Sequence, residues 1–433
     1  MTKHVYAIAT MDTKGEELQF VADRLLAAGV PTRTVDVGTL HAPAGSPDVS
    51  RETVAACHPP ALELFRGDTL RERASSIVAM SEALRRYLLQ EHREGRVAGV
   101  IGLGGSGGTA LITPAMRELP IGLPKIMVST VASGHTAPYV GTIDLMMLYP
   151  VVDVAGLNTV SRVILANAAH AMAGMVLRQP PHAPTERPAV GLTMFGVTTP
   201  CVTETRRLLE AAGYDALVFH ATGTGGAAME KLVEAGFLEG VIDLTTTEVA
   251  DLIAGGIFPC GPGRFDATLN AGIPFVLSLG ALDMVNFGAL ESVPAPYRQR
   301  LLHVHNPQVT LMRTTEEENR AAARWIARKL NLARSPFVVL IPEGGVSALD
   351  APGQVFYDPK ADRALFEELE GSIEAAAGRE IHRLSFHIND PDFARTAVAR
   401  FLELRSLVGD APRRSAACPI APVQQSSDPE RDR

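Results

Sequence analysis

Cysteine, lysine and aromatic residues are all scarce in this 433-residue chain, and each shortage closes off a class of function. The four cysteines, Cys57, Cys201, Cys260 and Cys418, stand far apart with no CxxC pair. Neither a zinc site nor a disulfide framework is indicated, and a reducing, cytoplasmic location is expected. Lysine occurs only six times and the formal net charge is −8. Nucleic acid and anionic membranes need a basic face that this chain never assembles, so both are excluded as main partners. No run reaches the ~18 consecutive apolar residues of a membrane span. The opening MTKHVYAIATMDTKGEE soon meets Asp12, Lys14, Glu16 and Glu17, which argues against a secretory leader. HExxH, GxSxG and other reaction-specific signatures are missing, and no metal ligand set is expected.

What the chain has in abundance is small and apolar residues. Hydrophobic residues make up 46 % of it, aromatics 5 %, and there are 38 glycines, a composition suited to tightly packed α/β layers. Its length exceeds what one hydrophobic core usually holds, so two domains are expected. In the first half, VYAIAT (5–10), PTRTVDVG (31–38), VAGVIGL and PKIMVST read as strands, with GEELQFVADRLLAAG (15–29), residues 72–94 and TALITPAMREL as helices. Residues 39–67, rich in Pro, Ala and His, form a long excursion. The proline-rich RQPPHAPTERP (178–188) marks a boundary, after which the alternation restarts. Strand and helix in alternation imply parallel sheets. The expected fold class is therefore α/β: two Rossmann-like doubly wound domains with mostly parallel sheets, over residues 1–179 and 188–408, followed by a disordered tail at 409–433.

The densest signal is GVIGLGGSGGTALITP (99–114), a strand running through a glycine loop into a helix. Successive backbone N–H groups at a helix N-terminus make an anion site, and glycine lets a ligand approach them. Gly102, Gly104 and Gly107 match GxGxxG, but no acidic residue follows about 20 residues on. Gly102 to Thr109 nearly spells the mononucleotide P-loop, with Gly108 where lysine belongs. The pattern therefore predicts a phosphate cradle without a lysine; the competing reading is that the glycines only let a helix pack closely on a strand. STVASGHTAPYVG (129–141) offers Ser129, Thr130, Ser133 and Gly134 at the same sheet edge. ATMDTKGEE places Asp12 and Lys14 there too, although Thr13 with Glu16 also fits a capping box, as do Thr245 with Glu248 and Thr315 with Glu318. Lys14 and Lys125 are the lysines available to face a phosphate.

The second half carries another glycine turn, GTGG (223–226), and polar residues at predicted strand ends. His220, Asp350 and His387 are the candidate catalytic groups there, histidine as general base and aspartate as its orienter in a cleft between domains. A hydrogen-bonded structural histidine is the competing reading. His303 and His305, at i and i+2, share one face of a predicted strand. Cys201 falls at a helix start among apolar neighbours, and a buried thiol is expected.

ATMDTKGEE, GLGGSGGT, STVASG, FHATGTGG, DLTTTE, SLGALDMVNFG, NPQVTLMRTT, GVSALDAPGQVFYDP and HINDP occur here in order. This arrangement resembles the ATP-binding family whose known member is the N-terminal half of the tomato mosaic virus resistance protein. The resemblance spans about residues 3–404. It implies two Rossmann-like domains and an ATP site in the first; Mg²⁺ is expected to accompany the nucleotide. It carries over onto Gly104, Gly105, Ser106, Gly107, Gly108 and Thr109, and onto Ser129, Thr130, Ser133 and Gly134. The plant member's antiviral role does not carry over, because that protein continues into a further domain. Three functional classes stay open: a nucleotide-binding protein, an enzyme acting on a small organic acid through the second domain, and a non-catalytic partner-binding module. A homo-oligomer is expected from the apolar composition.

Overall fold

The computed structural model describes residues 2–62, 73–178 and 187–408. The proline-rich stretch at 179–186, the tail at 409–433 with Cys418, and residues 63–67 of the excursion lie outside them. Two compact units divide between residues 182 and 183.

In the first unit, strands β1 (His4–Ala9), β2 (Thr32–Asp36), β3 (Val97–Gly104), β4 (Lys125–Ser129) and β5 (Met146–Leu148) form one sheet in the order β2-β1-β3-β4-β5. Every pairing is parallel. Alternation along β1 sends Val5, Ala7 and Ala9 to one face and Tyr6 and Ile8 to the other. The first set packs on the helices Met11–Ala27 and Thr159–Leu177, through Leu18, Val21, Leu165 and Met172. The second packs on Arg73–Arg93 and Ser106–Arg117, through Leu84, Leu88, Ile112 and Met116. The chain thus leaves β1 and β3 towards opposite faces. In this order of strands the crevice for a ligand opens at their carboxyl ends.

The excursion is tied back over that edge. Val49 bridges to Val35, and the Ala44 N–H donates to the Met11 carbonyl at 2.8 Å. A Cβ on Gly15 would lie 2.1 Å from the Ala44 oxygen, so this contact requires glycine there. Among the described residues one helix, Thr159–Leu177, is long and apolar enough to cross a membrane. Its Leu165, Ala168, Ala169, Met172 and Ala173 belong to the first unit's core.

The second unit contains β6 (Ala189–Met194), β7 (Asp215–His220), β8 (Gly240–Thr245), β9 (Phe275–Gly280), β10 (Met284–Phe287), β11 (Leu302–Asn306), β12 (Val309–Arg313), β13 (Phe337–Pro342) and β14 (Arg379–Leu384). Six of them form a parallel sheet, β14-β13-β9-β8-β6-β7. This repeats the first unit's order with one strand added at the edge. The expected fold class, two doubly wound α/β domains, is the one observed. The three-stranded antiparallel sheet β10-β12-β11 is an insertion that strand–helix alternation does not announce. His303 and His305 do not share a regular face, because the pairing of β11 slips between Val304 and Asn306.

Helix starts correct two expectations. Thr315 and Glu318 make the predicted capping box. Thr13 does not cap: a first turn starts at Met11 with Thr10 as N-cap, the helix kinks at Lys14 (φ −135°, ψ 25°), and Thr13 Oγ1 donates to the Thr10 carbonyl. Thr245 does not cap either, because its helix starts at Thr247 and Glu248 is drawn elsewhere.

Candidate functional site

Gly104 ends β3, and Gly105, extended at φ −78°, ψ −161°, is the N-cap of the helix Ser106–Arg117. The first amides of a helix have no intrahelical acceptor, and among the described residues no side chain supplies one here. The glycines divide by role. A Cβ on Gly102 would lie 2.6 Å from Met127 Sδ, and one on Gly104 2.9 Å from Gly108 Cα. Those two glycines serve the close approach of helix to strand. A Cβ on Gly105 would meet nothing nearer than Thr130 Oγ1 at 3.7 Å, so packing does not explain that glycine. The packing reading therefore accounts for Gly102 and Gly104 and leaves Gly105 without a packing reason.

Thr109 and Ser129 join the loops after β3 and β4. Both side chains are fully buried. The Val131 N–H donates to Ser129 Oγ at 3.2 Å, the Ser129 hydroxyl lies 2.6 Å from Thr109 Oγ1, and Thr109 Oγ1 donates to the Gly105 carbonyl at 2.8 Å. Since the Thr109 proton is used on a carbonyl, Ser129 is the donor between the two. These hydroxyls set the loop's shape and are consumed in doing so. Ser133 Oγ donates to the Thr130 carbonyl at 3.3 Å, and Gly134 closes that turn.

The neighbouring helix N-terminus, after β1, is already filled. Asp36 Oδ1, at the end of β2, accepts the N–H groups of Met11 at 2.9 Å and Gly38 at 2.8 Å. Asp12 Oδ2 accepts those of Leu40 and His41 at 3.3 and 3.4 Å. Lys14 Nζ donates to the Val154 carbonyl. Lys125 lies at the opposite end of its strand from Ser129, ~13 Å away at the usual rise. Its ammonium is buried against the carbonyls of Pro120 and Leu123 and against Asp144 at 2.8 Å, so Lys125 is a structural cation and does not face the loop.

The second glycine turn is occupied by its own chain. Glu248 Oε1 accepts the N–H of Gly223 at 2.7 Å and of Gly226 at 3.2 Å, and Oε2 takes Arg264 Nε at 2.8 Å. Arg264 is buried, with Nη2 2.7 Å from Asp243 and Nη1 3.7 Å from Glu230. Burial holds the carboxyls of Asp243 and Glu230 above their ordinary range, with Arg264 pulling them back.

Among the described residues no hydrogen bond joins His220 to Asp350 or His387. His220 ends β7, and His387 lies three residues beyond β14, the opposite edge strand of the sheet. His220 is exposed and lies beside the Phe195 ring. His387 and Asp350 are both packed around Gly345, yet His387 Nε2 donates to the Ser347 carbonyl at 2.8 Å and Nδ1 accepts the Asn389 N–H at 3.0 Å. Both ring nitrogens are engaged, as in a structural histidine. Asp350 Oδ2 accepts the Val346 N–H, and its Oδ1 lies 3.6 Å from Arg313. That guanidinium also meets Asp362 at 2.7 Å, while Asp283 takes the Ser347 hydroxyl at 2.7 Å. Burial pushes Asp283 up to about 7 and Asp362 up to about 8.

Residues 3–181 match the N-terminal domain of the uncharacterised protein family UPF0261, and residues 187–405 match its C-terminal domain. The chain belongs to that family. A UPF0261 protein of Rhizobium meliloti is 54 % identical over 403 residues, covering 93 % of this chain and 99 % of that one. One from Clostridium tetani is 43 % identical over 406 residues, again 93 % and 99 %. The ToMV resistance protein Tm-1(GCR237) of Solanum lycopersicum is 47 % identical over 419 residues, which cover 92 % of this chain and 55 % of the tomato protein.

In this UPF0261 chain the sequence reading missed Asp36, Asp243, Glu230 and Arg313 as site-forming residues. Asp36 had a usable signal, a lone carboxylate closing the apolar strand TVDVG.

Proposed function

We propose that this UPF0261 protein is a cytoplasmic nucleotide-binding protein whose first domain holds the phosphates of ATP, with Mg²⁺, on the N–H groups from Gly105 to Gly108. The reading rests on a contrast among helix starts at the carboxyl edges of the two sheets. Asp36 fills the one after β1, Glu248 the one after β7, and the Asn389 side chain reaches the Cys201 N–H in the one after β6. Among the described residues no side-chain oxygen meets the first amides of the helix after β3, and its N-cap, unlike Thr246 at the start of the helix after β8, is a glycine with open space beside it. An anion seated there gains up to ~2 kcal/mol per charge from the helix end in a partly buried setting. The hydroxyl chain from Ser129 through Thr109 to Gly105 fixes the loop before any ligand arrives, which lowers the ordering cost of binding.

Titration calorimetry with ATP and with inorganic tripolyphosphate tests the assignment. Both should bind the wild type with one site per chain, and Gly105→Val should remove both while circular dichroism and the unfolding transition stay unchanged. Equal affinity in the Gly105→Val protein would end the assignment.

A further inference from the structure

Asp12 and Asp36 approach each other around Gly38. A Cβ on Gly38 would lie 3.1 Å from Asp12 Cγ, 3.1 Å from Asp36 Oδ1 and 3.3 Å from Asp12 Oδ1. Two carboxylates this close repel unless something positive sits with them. Backbone amides supply all the hydrogen bonds they receive from described residues: Met11 and Gly38 on Asp36, Leu40 and His41 on Asp12. Arg51, the cation whose charge reaches Asp36, donates to Glu52 and to the His41 carbonyl. Asp36 is fully buried, and its Oδ2 has no hydrogen-bond partner. An orphaned oxygen on a buried carboxylate is costly, and it leaves this group open to a ligand.

We propose that Asp12 and Asp36 form a divalent-cation site of the Mg²⁺ class, which bridges to phosphate oxygens held on Gly105–Gly108. The inference rests on the nucleotide reading above. Asp12 lies three residues beyond the end of β1 and Gly105 one beyond the end of β3. The two strands are adjacent, ~4.8 Å apart, so carboxylate pair and cradle flank one crevice. The chemistry is complementary. The loop lacks the lysine that other phosphate loops carry, and Lys125 is sequestered at the far end of β4, so the charge of a polyphosphate must be met by another cation. Mg²⁺ is typically held by one or two carboxylates together with substrate phosphates, keeping several waters. Burial and the charge of Asp12 both hold the Asp36 carboxyl above its ordinary range, a condition that a bound cation reverses.

The segment 38–41 is tied to both carboxylates, Gly38 to Asp36 and Leu40 and His41 to Asp12. The contacts that tie this segment to Asp12 are the long ones, at 3.3 and 3.4 Å. Cation binding is therefore coupled to that strap, with Asp12 exchanging two weak amide contacts for the metal.

The test is calorimetry with inorganic tripolyphosphate, with and without MgCl₂, on the wild type, Asp12→Asn, Asp36→Asn and Gly105→Val. In the wild type Mg²⁺ should raise the affinity about tenfold or more. In Asp12→Asn the ratio of the two affinities should fall to about one. Asp36→Asn keeps an acceptor for Met11 and Gly38; it should fold, as circular dichroism will report, and should lower the ratio too. Mn²⁺ provides a second readout: its free six-line EPR signal, recorded without tripolyphosphate, which would itself chelate the ion, should drop on adding wild type and persist with Asp12→Asn. An undiminished Mg²⁺ enhancement in Asp12→Asn, with Gly105→Val still unable to bind, overturns the cation site and leaves the cradle standing. Binding of tripolyphosphate by Gly105→Val at wild-type affinity overturns the cradle itself, and this inference with it.

Discussion

Glu248 Oε1 accepts the backbone N–H of Gly223 at 2.7 Å, so the second domain closes its own glycine turn with a carboxylate. The same topology places Glu248 three residues beyond β8, the third strand of its sheet, where the first domain has Gly107 three residues beyond β3. One fold, used twice, thus follows its third strand with a glycine loop in one domain and, in the other, with an acid committed to the neighbouring turn.

Removing that acid should destabilise the second domain. Glu248 satisfies two amides and one face of a guanidinium that is itself buried. Truncation leaves a cavity, two orphaned N–H groups and an under-neutralised Arg264. Glu248→Ala should cost about 3 kcal/mol, and Glu248→Gln, which retains an acceptor for Gly223, should cost less. Urea denaturation followed by circular dichroism measures both; a loss under about 1 kcal/mol for the alanine variant would contradict the closed-turn account.

Adjacent glycines should respond differently to the same substitution. In Gly104→Ala the new methyl lies 2.9 Å from Gly108 Cα and 3.1 Å from the Thr109 nitrogen, all backbone that cannot yield cheaply. A stability loss of about 1–3 kcal/mol is expected. In Gly105→Ala the methyl meets only Thr130 Oγ1 at 3.7 Å, and φ is negative. Stability should stay within about 0.5 kcal/mol, while tripolyphosphate affinity falls because the methyl stands where the anion approaches. Thermal unfolding and calorimetry on the pair separate packing from binding.

This division shows what the sequence could and could not convey. Periodicity located the two sheets, because β1 and β3 are apolar runs set between amphipathic helices, and strand–helix alternation implied parallel pairing. GGSGG marked the loop between strand and helix. Which glycine is packed and which stands open depends on Met127 and Thr130, residues from β4 and the turn after it, so no local pattern carried the distinction. Glu248 looked like half of a capping box because its spacing from Thr245 is right; its partners Gly223 and Arg264 are 25 and 16 residues away. Lys125 was named for a phosphate on scarcity alone, and strand direction put it at the wrong end. For His220, Asp350 and His387 the strand-end pattern could not show that both ring nitrogens of His387 and an oxygen of Asp350 are taken by backbone groups of the neighbouring loops.

The buried thiols should be inert. Burial pushes Cys201 and Cys260 up to about 12, so almost no thiolate exists at neutral pH, and both side chains are inside. Iodoacetamide labelling mapped by peptide mass spectrometry should leave both unmodified in native protein and label both in urea. Native labelling of Cys201 would revive a reactive role at its helix start.

The cluster around Arg313 should make the second domain less stable as pH rises towards neutrality. Asp283 and Asp362 are raised to about 7 and about 8 in the folded state, burial outweighing the attraction of Arg313, against 3.8 for an ordinary aspartate. The folded form therefore holds protons that the unfolded chain has lost. Their contribution is fully present below about pH 4 and is lost as pH climbs through 7 to 8, with a slope of about 1.4 kcal/mol per pH unit per group inside that window. The ion-paired carboxylates with lowered values, such as Glu82 at about 2, act in the opposite sense but only below about pH 4.5, so they leave the window clear. Asp362→Asn keeps an acceptor for Arg313 without a titrating proton and should flatten the curve. Urea midpoints at pH 5.5 and 7.5, compared between wild type and Asp362→Asn, decide the matter: a wild-type midpoint that does not fall across that interval means the buried carboxyls are already ionised and Arg313 prevails.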